Sequence, residues 1–334
     1  MKRNLIPLVT FIFILLSCKS QTNNESPTNI NDTIKATSGE QAAIDLNKDT
    51  SSNYDHIPIV NEGSATPGSV KDRKNITFKP IVFKGKGAEE RSQGITLASK
   101  GDLKGAIEMF TKSIEAFQPN PDAYFYRGKA KWELKDYHGA DADFSKAIEI
   151  RSSQAPYYYY RGLMYMDQKR YSDAIEDFDS TVKFVPTYHD ALNYKGVALA
   201  HLGRHEEAIK AYDDAINVDP GGALAYYNKG TSLAGLSKFI EAEEALSKAI
   251  SINQNYEEAY VNRGNSRMMQ NNYDGAWSDY SMALSLNGKN VDALYNSGFA
   301  LMQLKRMDDA CGNWRKAVSL GHRLAQSQID KYCK

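Results

Sequence analysis

The sequence predicts an all-α chain: a solenoid of seven helix hairpins closed by one further helix. Three observations predict it. From residue 87 the chain repeats with a period of 34 residues. Glycine falls at position 8 of every repeat and alanine at position 20, without exception. A lone hairpin of this length has no partner for its apolar face, so tandem copies must stack into one continuous core.

The elements follow in chain order. Met1–Asn4 carries Lys2 and Arg3, and Leu5–Leu16 is a nearly unbroken apolar run with Pro7 as its irregularity. A bilayer span needs about 20 residues, so this run is too short for one. Its layout over residues 1–17 is that of a secretory signal peptide. The run ends in Leu15-Leu16-Ser17-Cys18, which resembles the lipobox of bacterial lipoproteins. The resemblance implies cleavage before Cys18 and lipidation of its thiol with acyl chains such as palmitate. Several chains together hold a protein at a membrane where one would not. The expected location is the bacterial cell envelope, lipid-anchored on the periplasmic or outer-membrane side. A short uncleaved membrane anchor and a signal peptide cut elsewhere, with Cys18 incidental, are the other readings.

Residues 18–86 are expected to be a disordered tether. Residues 19–75 are rich in Ser, Thr, Asn, Asp and Gly and show no sustained apolar period. Residues 76–84 are more apolar and extended in character. Packing against the first repeat and a sticky end of the linker both remain open for them.

The repeats occupy residues 87–320, with position 1 at residues 87, 121, 155, 189, 223, 257 and 291. Position 24 reads Phe110, Phe144, Phe178, Tyr212, Leu246, Tyr280 and Trp314, and Pro186 and Pro220 fall at position 32. This pattern resembles the tetratricopeptide repeat. The resemblance implies two helices per repeat, a right-handed α-solenoid, and first helices that line a concave inner surface. Gly at 8 and Ala at 20 are expected to let the two backbones of a hairpin approach closely. A Gly in mid-helix costs about 0.5–1 kcal/mol relative to Ala, so close packing must offset it.

Both ends depart from the repeat. The first repeat has Glu90 at position 4, where others have Tyr or Leu. Residues 321–334 read as a capping helix with Leu324, Ala325 and Ile329 on one face. Export implies an oxidising compartment, where Cys311 and Cys333 are expected to form a disulfide. Two free buried thiols are the alternative. Position 7 is Arg127, Arg161 and Arg263 where position 23 is Asp143, Asp177 and Asp279. In repeats 4 and 5 the same positions hold Lys195 with Ala211 and Lys229 with Ala245. This covariation predicts Arg–Asp pairs inside hairpins, with Arg suited by its bidentate fork.

The candidate peptide-binding groove is assigned to inner positions 5, 6 and 9. Position 5 supplies Phe125, Tyr159, Asn193 and Tyr227. Position 6 supplies Tyr126, Tyr160, Tyr194, Asn228, Asn262 and Asn296, a run of Tyr followed by a run of Asn. Position 9 adds Lys129 and Asn265. Asn both donates to and accepts from a peptide backbone, and Tyr gives a large contact area at low entropy cost. No repeat has Lys at 5 or Arg at 6, so the carboxylate clamp for acidic C-terminal tails is not expected.

The search for chemistry is negative. His201 and His205, followed by Glu206 and Glu207, straddle a turn and do not make a convincing metal site. There is no P-loop, no His-Glu-x-x-His and no Gly-x-Ser-x-Gly. A formal net charge of zero gives no nucleic-acid footprint. The expectation is therefore a membrane-anchored, non-enzymatic scaffold without cofactor or metal, binding a protein or peptide in a concave groove. The alternative is an accessory subunit that positions or activates a cell-envelope enzyme.

Overall fold

The computed structural model describes residues 87–333, and every element among them is a helix. The expected signal peptide, Cys18 and the expected tether, with its apolar 76–84 segment, lie outside the described residues. Seven hairpins follow one another: α1 Ala88–Ser99 with α2 Leu103–Ala116, α3 Pro121–Glu133 with α4 Tyr137–Ile150, α5 Ala155–Asp167 with α6 Tyr171–Phe184, and α7 His189–His201 with α8 His205–Val218. Then come α9 Ala223–Gly235 with α10 Phe239–Ile252, α11 Glu257–Met269 with α12 Tyr273–Leu286, and α13 Val291–Gln303 with α14 Met307–Ser319. A fifteenth helix, α15 Ala325–Tyr332, ends the array.

Each hairpin turns in the same way. Position 15 adopts a left-handed backbone in all seven repeats, although only Gly101 and Gly203 are glycine there; Lys135, Lys169, Ser237, Asn271 and Lys305 take φ near +60°. The following N–H reaches back to the carbonyl of position 11, as in Arg170 to Tyr165 at 2.8 Å and Arg204 to Leu199 at 2.9 Å. This six-to-one bond satisfies an orphan carbonyl at the end of the first helix. In repeats 1, 2 and 6 the next residue also caps the second helix: Asp102, Asp136 and Asn272 accept from the N–H of Gly105, Gly139 and Gly275.

The recurring Gly at position 8 meets the side chain at position 24. A Cβ on Gly264 would lie 2.7 Å from the Tyr280 ring, and one on Gly162 would lie 2.9 Å from Phe178. The expected backbone-to-backbone crossing with Ala at 20 is the lesser contact: a Cβ on Gly128 would stand 3.3 Å from the Ala140 carbonyl. The glycine therefore makes room for a ring, and all seven position-24 side chains are fully buried or nearly so.

The three predicted Arg–Asp pairs form, each as a two-pronged fork. Arg161 donates from Nε and Nη2 to Asp177 at 2.9 and 2.8 Å, and Arg127–Asp143 and Arg263–Asp279 repeat the geometry. The remaining Nη1 crosses to position 25 of the preceding repeat: Thr111, Ser145 or Ser247. Where position 23 is Ala, the lysine turns to that same place. Lys195 pairs with Asp179 at 2.5 Å and Lys229 with Asp213 at 2.6 Å. Hairpin glue in one set of repeats is thus replaced by repeat-to-repeat glue in the other.

First helices of successive repeats also touch one another from α1 to α13, which puts them on the inside of the curve. One step is looser: α4 and α5 meet along less of their length than other neighbours. Position 3 explains it. Ala123, Ala191, Ala225, Ala259 and Ala293 are buried at this position, whereas repeat 3 inserts buried Tyr157.

The two ends close differently. Interior repeats bury small residues or Met164 at position 10, but repeat 1 exposes Glu89, Gln93 and Thr96 at positions 3, 7 and 10. Its outward face is already polar. At the other end α15 lies on α14, with Ala325 fully buried, the Tyr332 ring 5.9 Å from Trp314, and Cys311 joined to Cys333 in a disulfide. Leu324, expected on the buried face, is 62% exposed. It precedes the helix and points away from the cap's contact with α14.

Candidate interaction surface

Positions 2, 6, 9 and 13 form one stripe of each first helix, because steps of three and four return to the same face. Position 5 sits beside this stripe, and the structure corrects its assignment to the groove. All seven position-5 residues are buried, including Phe125, Tyr159, Asn193 and Tyr227. In four repeats the next junction lays a ring over them. Tyr157 covers Phe125 at 5.0 Å, Tyr188 covers Tyr159 at 4.8 Å, Tyr256 covers Tyr227 at 4.8 Å, and His322 covers Tyr295 at 4.1 Å. Burial holds the Tyr227 phenol well above its usual range. These side chains join the core between repeats and are not presented to a ligand.

Position 6 divides into two kinds. Tyr160 is buried, and Tyr126 and Tyr194 are half-buried, stacked on Phe110 at 5.9 Å and Phe178 at 6.0 Å. The Lys129 ammonium stands 4.3 Å over the Tyr160 ring. Leu163 and Val197, at position 9 of repeats 3 and 4, are 4% and 2% exposed. Across repeats 3 and 4 the inner wall is therefore largely closed by its own packing.

The asparagines bond across repeats. Asn228 is buried and donates to the Asn193 side chain at 3.0 Å. Asn262 donates to the Tyr227 hydroxyl and to Thr231, both at 3.3 Å. Asn296 donates to Asn265 at 3.0 Å, and the same Asn265 oxygen accepts from Tyr280 at 2.7 Å. Asn193 and Asn228 are spent in the core. Asn262, Asn265 and Asn296 remain half-buried at the wall, with their amide N–H groups or oxygens partly used.

Accessible positions fall at both ends of the stripe: Ser92, Ile95 and Ser99 of repeat 1 are exposed, and repeats 5–7 supply the rest. Leu224 is 48% exposed, Glu258 and Gln303 are exposed, and Met269, Asp292 and Phe299 are half-buried. Sequence reasoning missed Leu224, Met269 and Phe299; their signal was an apolar residue at positions 2, 9 or 13.

His201 and His205 do not converge on an ion. His201 stacks on Tyr171 at 4.5 Å, and burial pushes the His205 imidazole below its ordinary value. Among the described residues no group of three or more His, Cys, Asp or Glu could hold a metal, and no helix is long and apolar enough to cross a membrane.

Comparison with known proteins agrees with this architecture. The family described as "Tetratricopeptide repeat" matches residues 91–156, 127–189, 159–223 and 223–256. Among solved structures, the C-terminal part of a TPR repeat-containing protein from Cytophaga hutchinsonii is similar at a TM-score of 0.61 and 18% identity, over 71% of this chain and 98% of that one. A tetratricopeptide repeat protein from Parabacteroides merdae gives 0.55 and 16%, over 74% and 99%. Pseudomonas aeruginosa pilF gives 0.55 and 19%, over 63% and 96%. No curated protein sequence matches this chain. The fold and the inner wall together define a helical-repeat scaffold of the kind that supports protein–protein interaction. Residues 91–256 match the tetratricopeptide repeat family, and the hairpins on either side continue the same 34-residue period.

Proposed function

We propose that this protein is a lipid-anchored scaffold of a bacterial cell envelope that holds a protein or peptide partner against the inner wall of its last three repeats. One observation carries the reading. Across repeats 3 and 4 the wall packs its own side chains, while repeats 5–7 leave Leu224, Met269 and Phe299 partly open beside half-buried Asn262 and Asn296. Apolar side chains kept at a concave surface among polar neighbours are the usual makings of a contact site. The Leu15-Leu16-Ser17-Cys18 sequence supports the anchor, and the stretch after it supplies reach from the membrane.

A photo-crosslinking amino acid in place of Phe299, in the full chain expressed in its own envelope, tests the wall. A defined set of crosslinked proteins is expected; the same substitution at exposed Glu176 on the second-helix side serves as the control. Equal capture at both positions would remove the proposal. Mass spectrometry of the mature N-terminus tests the anchor, and an unmodified Cys18 peptide would contradict it.

A further inference from the structure

We infer that the partner presents an extended segment bearing Lys or Arg interspersed with apolar side chains. This rests on the reading of the inner wall as the contact surface and adds the chemistry of what it contacts. Two independent observations lead there. The first is charge. At positions 2, 5, 6, 9, 12 and 13 of repeats 5–7 there is no Lys or Arg, while Glu258 and Asp292 both stand at position 2. Glu258 is exposed and Asp292 half-buried, so both reach solvent at the wall.

The second observation is the direction of the amides. Asn262 spends its N–H groups on Tyr227 and Thr231, and Asn296 spends one on Asn265. The donors of Asn262 point into the repeat junction, which leaves its carbonyl oxygen to bond a newcomer, while Asn296 keeps its oxygen and one N–H. With the two carboxylates the wall carries charged acceptors and no cationic donor, while Gln303 both donates and accepts. A cationic, donor-rich segment satisfies such a wall. An acidic segment would meet like charge and unpaired acceptors, which costs affinity.

The apolar part of the segment has its own places. Leu224, Met269 and Phe299 stand along the same stripe of three successive first helices. Met adapts its shape to varied apolar partners. An extended chain alternates its side chains, so one edge can meet these residues while the other carries charge to the carboxylates.

The test uses the purified full chain and two fluorescein-labelled peptides. One alternates Lys or Arg with Leu and Phe; its counterpart carries Glu at every basic position. Fluorescence anisotropy is expected to show binding of the basic peptide, weakened by added salt. The E258Q/D292N double variant, altered only at solvent-reaching side chains, is expected to bind it roughly 2–10-fold more weakly. Phe299→Ala should weaken it as well. Equal or tighter binding of the Glu peptide, or no change in E258Q/D292N, would overturn the inference. If the Glu peptide binds and Phe299→Ala weakens it, the wall survives as the contact surface and only the assigned chemistry falls. Binding of neither peptide also overturns the inference, and the crosslinker at position 299 then reports separately on whether the wall holds a partner.

Discussion

The inner wall of repeats 3 and 4 and the inner wall of repeats 6 and 7 are built on the same helical stripe but pack differently at positions 6 and 9. In the first, Tyr160, Leu163 and Val197 are buried against neighbouring repeats. In the second, the equivalent places hold Asn262, Asn265 and Phe299, and all three remain half-open. The difference is one of side-chain size and polarity at fixed backbone positions. Large rings at 5 and 6 fill the step from one first helix to the next. In repeats 6 and 7 an amide at 6, Asn262 or Asn296, spans that step with a hydrogen bond and stays half-open. A repeat array can therefore spend one stretch of its inner surface on cohesion and keep another for contact.

The sharpest way to break this comparison is to truncate one side chain in each half. Tyr159→Ala empties a fully buried site and should cost about 3–5 kcal/mol of stability. Phe299→Ala, at a half-open site, should cost clearly less, and denaturant unfolding reads the difference. Equal losses would mean that the two halves are packed alike.

The ion pairs give the next largest contrast. Arg161→Met leaves Asp177 buried without its partner, at a cost of about 3–5 kcal/mol. Lys229→Met releases Asp213, whose side chain is 45% exposed, and should cost under about 1 kcal/mol. A smaller loss is expected at the boundary between the halves. Asn228→Ala removes the hydrogen bond to buried Asn193 and should cost about 1–3 kcal/mol.

The smallest effect concerns pH at the C-terminal cap. Burial holds the His322 imidazole below its ordinary value, with Asp292 opposing in part. Its folded pKa is depressed, so the folded cap favours the neutral ring. Below about pH 6.5 an unfolded histidine takes up its proton first, and stability falls as pH falls. Protection factors of α15, with the intrinsic pH dependence of amide exchange divided out, should therefore fall between neutral and mildly acidic pH, and His322→Phe should flatten that trend. Unchanged protection factors would remove His322 from the account.

Much of this fold was legible in the sequence, because the period and the invariant glycines report packing that is local to each hairpin. Arg127–Asp143 and its two counterparts were legible for the same reason: both members lie in one repeat. What crosses between repeats was not. Lys195 looked unpaired against Ala211, since its partner Asp179 belongs to the preceding repeat. The left-handed turn at position 15 was hidden by the lysines, serine and asparagine that occupy it in place of glycine. The burial of Phe125, Tyr159 and Tyr227 was also hidden. Whether position 5 faces the groove or the next repeat depends on how far each hairpin rotates over its neighbour, which no single repeat encodes. Tyr157 shows that sensitivity, since one ring in place of alanine is enough to hold α4 and α5 apart.

The division of the wall is tested most directly by reading position 9 along the array. Single cysteines would replace Leu163, Val197, Asn265 and Phe299 in an oxidised Cys18→Ser protein, where Cys311 and Cys333 are already paired. A soluble thiol reagent should label positions 265 and 299 rapidly and leave 163 and 197 protected until the array unfolds. Labelling of all four at similar rates would contradict the account.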